Sequence, residues 1–149
     1  AAWNYFESIK TPVNATFIKE WHDFTQKPKR TTNDPMEAHY IGFNMWVKAV
    51  EKVKSTDPDK VIAALPGIKA PNLTGGMSTM LPNHHITKPV YIGEIRADGQ
   101  FDVVWKTKGL VPGEAWSEYL PGSKDFISDW VSLKCGHYNK VAKKCSGSS

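Results

Sequence analysis

"NDPMEAHYIGFNMWVKAVEKVK", residues 33–54, carries the longest helical periodicity in the chain. Asn33 or Asp34 is placed to cap its first turn, and Pro35 falls where a missing N–H leaves no bond unmade. Ala38, Ile41, Met45, Ala49 and Val53 recur at the spacing of one helix face. Trp46 and Val50 widen that seam to the broad stripe of a helix lying on a sheet. Gly42 within the seam costs about 1 kcal/mol relative to alanine, which predicts a close helix crossing there.

The same capping device appears on both sides of this helix. Thr11-Pro12 starts a helix upstream, with Phe17, Ile18, Trp21 and Phe24 at helical spacing, and "QKPKRTTN" (26–33) ends it. Asp57-Pro58 launches the short "DKVIAAL" (59–65), which Pro66-Gly67 stops. Beyond Gly67 the pattern changes to strands: "IKAPNL" (68–73), "GMSTML" (76–81), "PVYIGEI" (89–95) and "QFDVVW" (100–105). A three-residue loop of Ala97, Asp98 and left-handed Gly99 pairs Arg96 with Gln100. That register puts Tyr91, Gly93, Ile95, Phe101, Val103 and Trp105 on one face, and it sets Glu94 opposite Asp102, a like-charge pair that mildly opposes it. Helices followed by strands make an α/β chain.

At 149 residues the chain can bury a core without metals or several disulfides. Its hydrophobic residues, 40% of the total, are dispersed, and no apolar run approaches the ~20 residues of a membrane-spanning helix. The net charge of +4 is modest and most lysines sit beside acids, as in "EKVKSTDPDK" (51–60), so no basic stripe for nucleic acid stands out. "AAWNYF" opens the chain with neither an initiator Met nor a signal stretch, which predicts a trimmed or truncated chain. "KKCSGSS" (143–149) reads as a fraying tail. The only cysteines, Cys135 and Cys145, lie close together with a polar segment between them and no CxxC spacing, so we expect a disulfide formed in an oxidising compartment. Closing so short a loop stabilises by roughly 2–3 kcal/mol.

Little in the chain speaks for catalysis or metal. Adjacent side chains on extended backbone point apart, so His84 and His85 suit a turn better than one ion. His22, His39 and His137 form no HxxxH or HxH set. No GxSxG, phosphate loop or activated cysteine appears, and "NLTGGMS" (72–78) reads as a turn. We therefore expect no enzyme activity, no metal and no cofactor. The start of the long helix is the better candidate for binding. Asp34, Met36 and Glu37 stand where first-turn amides are unpaired, and a carboxylate there either caps the helix or accepts from a ligand. Trp3, Tyr5 and Phe6 read as core, with the Tyr5 hydroxyl free to reach a pocket.

Three segments carry a resemblance: "AWNYFESIKTPVNATFIKEW" (2–21), "NDPMEAHYIGFNMWVKAVEK" (33–52) and "PNHHITKPVYIGEIRADGQFDVVW" (82–105). In that order they resemble the C-terminal part of the urea ABC-transporter substrate-binding proteins, periplasmic solute receptors of the branched-chain amino-acid class. The amide-sensing regulators of amidase operons are similar. The resemblance runs from Ala1 to about Leu120. It implies a two-lobed receptor of the type I periplasmic-binding-protein fold, a sheet flanked by helices in each lobe and a ligand held between. Residues 1–120 would supply mostly the second lobe, the N-terminal lobe being absent, and 121–149 would be an extension with the cysteine loop. The implied ligand is urea or a short amide, with Tyr5, Asp34, Met36 and Glu37 as its contacts, and the implied partner is an inner-membrane ABC permease. It also makes the Asn-His-His turn scaffold. An amide-sensing regulator of the same fold, or a self-associating interaction domain with no small ligand, are the alternatives.

Overall fold

The computed structural model describes residues 1–125, 134–135, 137–139, 141–142 and 144–146. The chain divides into two compact units, Ala1–Glu114 and Ala115–Ser149. The first holds three helices, α1 (Pro12–Thr25), α2 (Asp34–Val53) and α3 (Pro58–Ala64), and five strands: β1 (Ala2–Trp3), β2 (Lys69–Pro71), β3 (Met77–Thr79), β4 (Tyr91–Ile95) and β5 (Phe101–Lys106). β2 and β3 form an antiparallel hairpin, while β1, β4 and β5 form a second sheet in that order.

Each helix begins as its sequence predicts. Thr11, Asn33 and Asp57 accept a hydrogen bond from a first-turn amide through their side chains, with a proline in the first turn of each helix. Of the two candidates for the α2 cap, Asn33 takes the role, its Oδ1 accepting from Met36 N at 3.0 Å. α2 packs on β2 and α3. Ile41 and Met45 join Ala70 and Met80 in one cluster, and Ala49 joins Val61 and Ala64 in another. Tyr5, Phe17 and Leu73 form a third.

Two details of the predicted α2 face differ. Trp46 remains 40% exposed and stacks on Phe43 at 5.8 Å, because the buried stripe is narrow and turns toward Glu37 rather than Trp46. Among the described residues no heavy atom lies within 4 Å of where a Gly42 Cβ would stand, so no described helix crosses there. Trp3, expected in the core, is 49% exposed beside fully buried Tyr5 and nearly buried Phe6.

The hairpin keeps the predicted loop. Gly99 is left-handed (φ 81°), Arg96 N donates to Gln100 O at 2.8 Å, and Glu94 faces Asp102. Arg96 bridges Asp98 and Asp102 at 2.7 and 3.2 Å, which offsets the like-charge pairing. A bulge between Ile92 and Gly93 then pairs Trp105 with Ile92 and Lys106 with Tyr91. Trp105 thereby leaves the predicted face, since one extra residue inverts the alternation beyond it. "NLTGGMS" is a turn as expected: Asn72 Oδ1 accepts from Thr74 N, Thr74 Oγ1 and Gly76 N, and Gly75 is left-handed. "NHH" closes a turn too, with His84 left-handed and His85 Nδ1 3.2 Å from the Asn83 carbonyl.

Among the described residues of the second unit, a 3-10 turn (Ser123–Asp125) precedes an antiparallel hairpin of β6 (His137–Asn139) and β7 (Lys144–Ser146). Cys135 and Cys145 are disulfide-bonded across a Cα separation of 5.0 Å. Residues 143 and 147–149 of the expected tail lie outside the described residues.

Gly93 touches the tightest point of the larger sheet. A Cβ there meets Phe6 Cζ at 2.8 Å and Cε2 at 2.9 Å, and Phe6 is itself stacked on Phe101 at 4.7 Å. With Phe6 held between them, Gly93→Ala is expected to destabilise by about 1–3 kcal/mol in guanidinium unfolding, an overpacking cost; no change in midpoint contradicts this packing.

Candidate functional site

The first turn of α2 gathers the polar groups. The Asn33 cap and Pro35 set the direction in which the turn leaves its loop, and Asp34 and Glu37, three residues apart, fall on one face. Glu37 is fully buried. One of its oxygens meets Lys88 Nζ in a buried ion pair, and the other accepts from Leu73 N at 3.4 Å. Lys88 comes from the segment before β4 and exchanges both backbone hydrogen bonds with Val111, at 3.1 and 2.8 Å. Burial pushes its ammonium down to about 8, with the Asp34 carboxylate pulling the other way. Asp34 is half-buried. Its Oδ1 is shut off from solvent and has no hydrogen-bond partner among the described residues.

A second network holds the loop that leads into α2. Tyr5 Oη donates to Asn14 Oδ1 at 2.7 Å and lies 2.8 Å from Thr32 Oγ1. Asn14 Nδ2 donates to the carbonyls of Glu7 and Ile9, which leaves its Oδ1 as the acceptor. Glu7 accepts from the N–H and the hydroxyl of Thr32, and its other oxygen is 3.4 Å from Gln100 Nε2 at the hairpin tip. Burial pushes the Tyr5 phenol up to about 12; its hydrogen bond with Thr32 opposes the shift and the Glu7 charge adds to it. Thr32 stands two residues before Asp34, so this network fixes where the turn begins.

The four residues singled out in the sequence thus fall into two kinds. Asp34 and Met36 are partly exposed at the mouth of α2. Tyr5 and Glu37 are at 0% exposure, with every polar side-chain atom engaged inside the protein. Lys88, Asn14, Thr32 and Glu7 complete the arrangement and were not predicted. Lys88 had a signal: it alternates with apolar Ile86 and Val90, which places a charge on an inward-facing position. The two Asn-X-Ser/Thr sequons carry buried asparagines, Asn14 and Asn72, each about 1% exposed.

Comparison with known proteins bears on this arrangement. Residues 1–122 match the periplasmic binding protein domain family. The chain belongs to that family. A solute-binding protein of an ABC transporter from Rhodopseudomonas palustris, solved with p-hydroxybenzoic acid, superimposes with a TM-score of 0.57 at 27% identity, covering 74% of this chain and 31% of that one. A second from the same species, solved with 3,4-dihydroxybenzoic acid, gives a TM-score of 0.62 at 20% identity over the same shares, a likeness of fold. The chain thus spans about a third of these structures, and its α/β architecture is that of part of the type I periplasmic-binding-protein fold. Among curated proteins, one named limonene hydroxylase from Geobacillus stearothermophilus is 31% identical over 116 residues, which is 74% of this chain and 20% of that relative.

Two outcomes follow from the buried groups. Lys88→Met leaves the Glu37 carboxylate unpaired and should cost about 3–5 kcal/mol, whereas Glu37→Gln with Lys88→Met removes both charges and should cost clearly less; equal losses from the single and double variants contradict a true ion pair. For Tyr5 the folded state holds the phenolic proton more tightly than the unfolded chain, from an ordinary value of 10 to about 12. Its contribution is therefore complete below pH 10 and lost as pH rises through 12. The stability difference between wild type and Tyr5→Phe, followed by denaturant unfolding, should shrink across that window; a constant difference contradicts the buried phenol.

Proposed function

We propose that this chain is part of the solute-binding receptor of an ABC uptake system, acting in the periplasm and delivering its ligand to an inner-membrane permease. Family membership and the ABC-transporter likenesses support the general role. The ligand we infer is urea or a short amide, held between the mouth of α2 and a second lobe supplied by the remaining polypeptide. Residues up to about 120 belong to the receptor body in this reading, and the disulfide-bonded segment beyond is an extension of it.

One observation carries the ligand class: the carboxylate of Asp34 is partly exposed at the mouth of α2, and its Oδ1 has no partner among the described residues. A carboxylate not spent on the protein can accept from a ligand N–H, and such a charge-assisted bond is roughly twice as strong as a neutral one. Urea and simple amides offer several N–H donors and one carbonyl on a small frame. Met36 limits the space beside Asp34, while Glu37 and Tyr5 act from beneath, holding the turn without touching the ligand. Bonds made only when the lobes close drive the closure, since a ligand shifts an equilibrium only by its differential affinity.

Calorimetric titration of urea and acetamide into the receptor containing this chain tests the reading. Saturable heat from at least one of them is expected, with Asp34→Ala weakening it tenfold or more, as the loss of a charge-assisted bond demands. Heat from neither ends the amide reading.

A further inference from the structure

The mouth of α2 sets two carboxylates against one ammonium. Asp34 and Glu37 share a face of the first turn, and Lys88 pairs with Glu37 where both are buried: Glu37 is 0% exposed and Lys88 6%. Lys88 cancels one of the two negative charges and leaves one. Glu7, bonded to Thr32 just upstream, adds a further negative charge to the neighbourhood and no cation. Burial withholds the water that would screen these charges. Of these carboxylates only Asp34 has an oxygen not bonded to another described residue.

Resting on the amide reading of this site, we propose that the buried Glu37–Lys88 pair sets its charge selectivity. Lys88 balances one of the two carboxylates, the mouth of α2 keeps a net negative charge at the ligand, and neutral amides are accepted where carboxylates of the same shape are refused. Glu37 and Lys88 do not touch the ligand. They are positioning residues that fix the electrostatic background against which Asp34 acts. A unit charge ~8 Å from a ligand, at an effective dielectric near 20, shifts binding of a monovalent ligand by roughly tenfold or more. Acetamide is insensitive to that background and acetate is not, although the two have the same heavy-atom shape.

The ratio of acetate to acetamide dissociation constants therefore reads the background directly. It is measured in the receptor containing this chain at pH 6, where acetate is ionised and Lys88 keeps its proton. Glu37→Gln removes one negative charge and should lower the preference for acetamide about tenfold. Glu37→Gln with Lys88→Met abolishes the pair yet restores the wild-type charge, and should restore the wild-type ratio within about twofold. Lys88→Met removes the positive charge and should leave the preference at least as strong; if that variant fails to fold, the other two still decide. A pair that only supports the fold shifts both ligands alike and leaves all ratios equal, which overturns this inference while wild type still binds acetamide. Wild type that binds neither ligand overturns the amide reading itself, and the inference with it.

Discussion

The buried contact between Glu37 and Lys88 is the constraint on which the rest of the first unit depends. Taking either charge out of water costs several kcal/mol, and the attraction between them offsets this only while both are in place. Three separate segments must therefore arrive together: the first turn of α2, the segment before β4 that carries Lys88, and the β2–β3 turn whose Leu73 amide supplies the remaining bond to Glu37. Val111 anchors the lysine's backbone from a fourth. Well-packed apolar side chains could hold these segments as firmly. What the ion pair adds is a single permitted arrangement, since any slip of α2 along its neighbours strands a charge.

The Tyr5 network extends that constraint to the loop before α2. Glu7 and Gln100 connect the same loop to the tip of the β4–β5 hairpin, so with the Leu73 bond to Glu37 the helix start is tied to both sheets. Asp34 sits at the point where the two networks meet, its direction set by Thr32 behind it and Glu37 one turn ahead. Every polar side-chain atom of Glu37 and Tyr5 is bonded inward; the unbonded oxygen belongs to Asp34. Such a pattern is what a binding surface needs, a rigid frame with one acceptor left over.

Much of the fold was legible because its signals are local. Helix starts at Thr11, Asn33 and Asp57 depend on a side chain and a proline within one turn, and the loop around Gly99 depends on one residue's tolerance of positive φ. The departures have non-local causes. Trp105 changed faces because of a bulge at Gly93, where a glycine is required by Phe6 from a distant part of the chain. Trp46 lies outside the core because the face of α2 is chosen by β2 and α3, which periodicity alone does not locate. The site was half legible for the same reason. The mouth of α2 stood out by its carboxylates, yet which of them is spent inside the protein depends on Lys88, fifty-one residues away in sequence.

The central claim is that Asp34 presents the acceptor for a donor-rich ligand while Glu37 and Lys88 remain bonded to each other. A crystal structure of the receptor containing this chain, grown with acetamide or urea, tests it most directly. The account predicts a ligand N–H donating to an Asp34 carboxylate oxygen at ~2.9 Å with the ion pair beneath intact. A ligand seated elsewhere, with that oxygen bonded to another group of the protein, contradicts it.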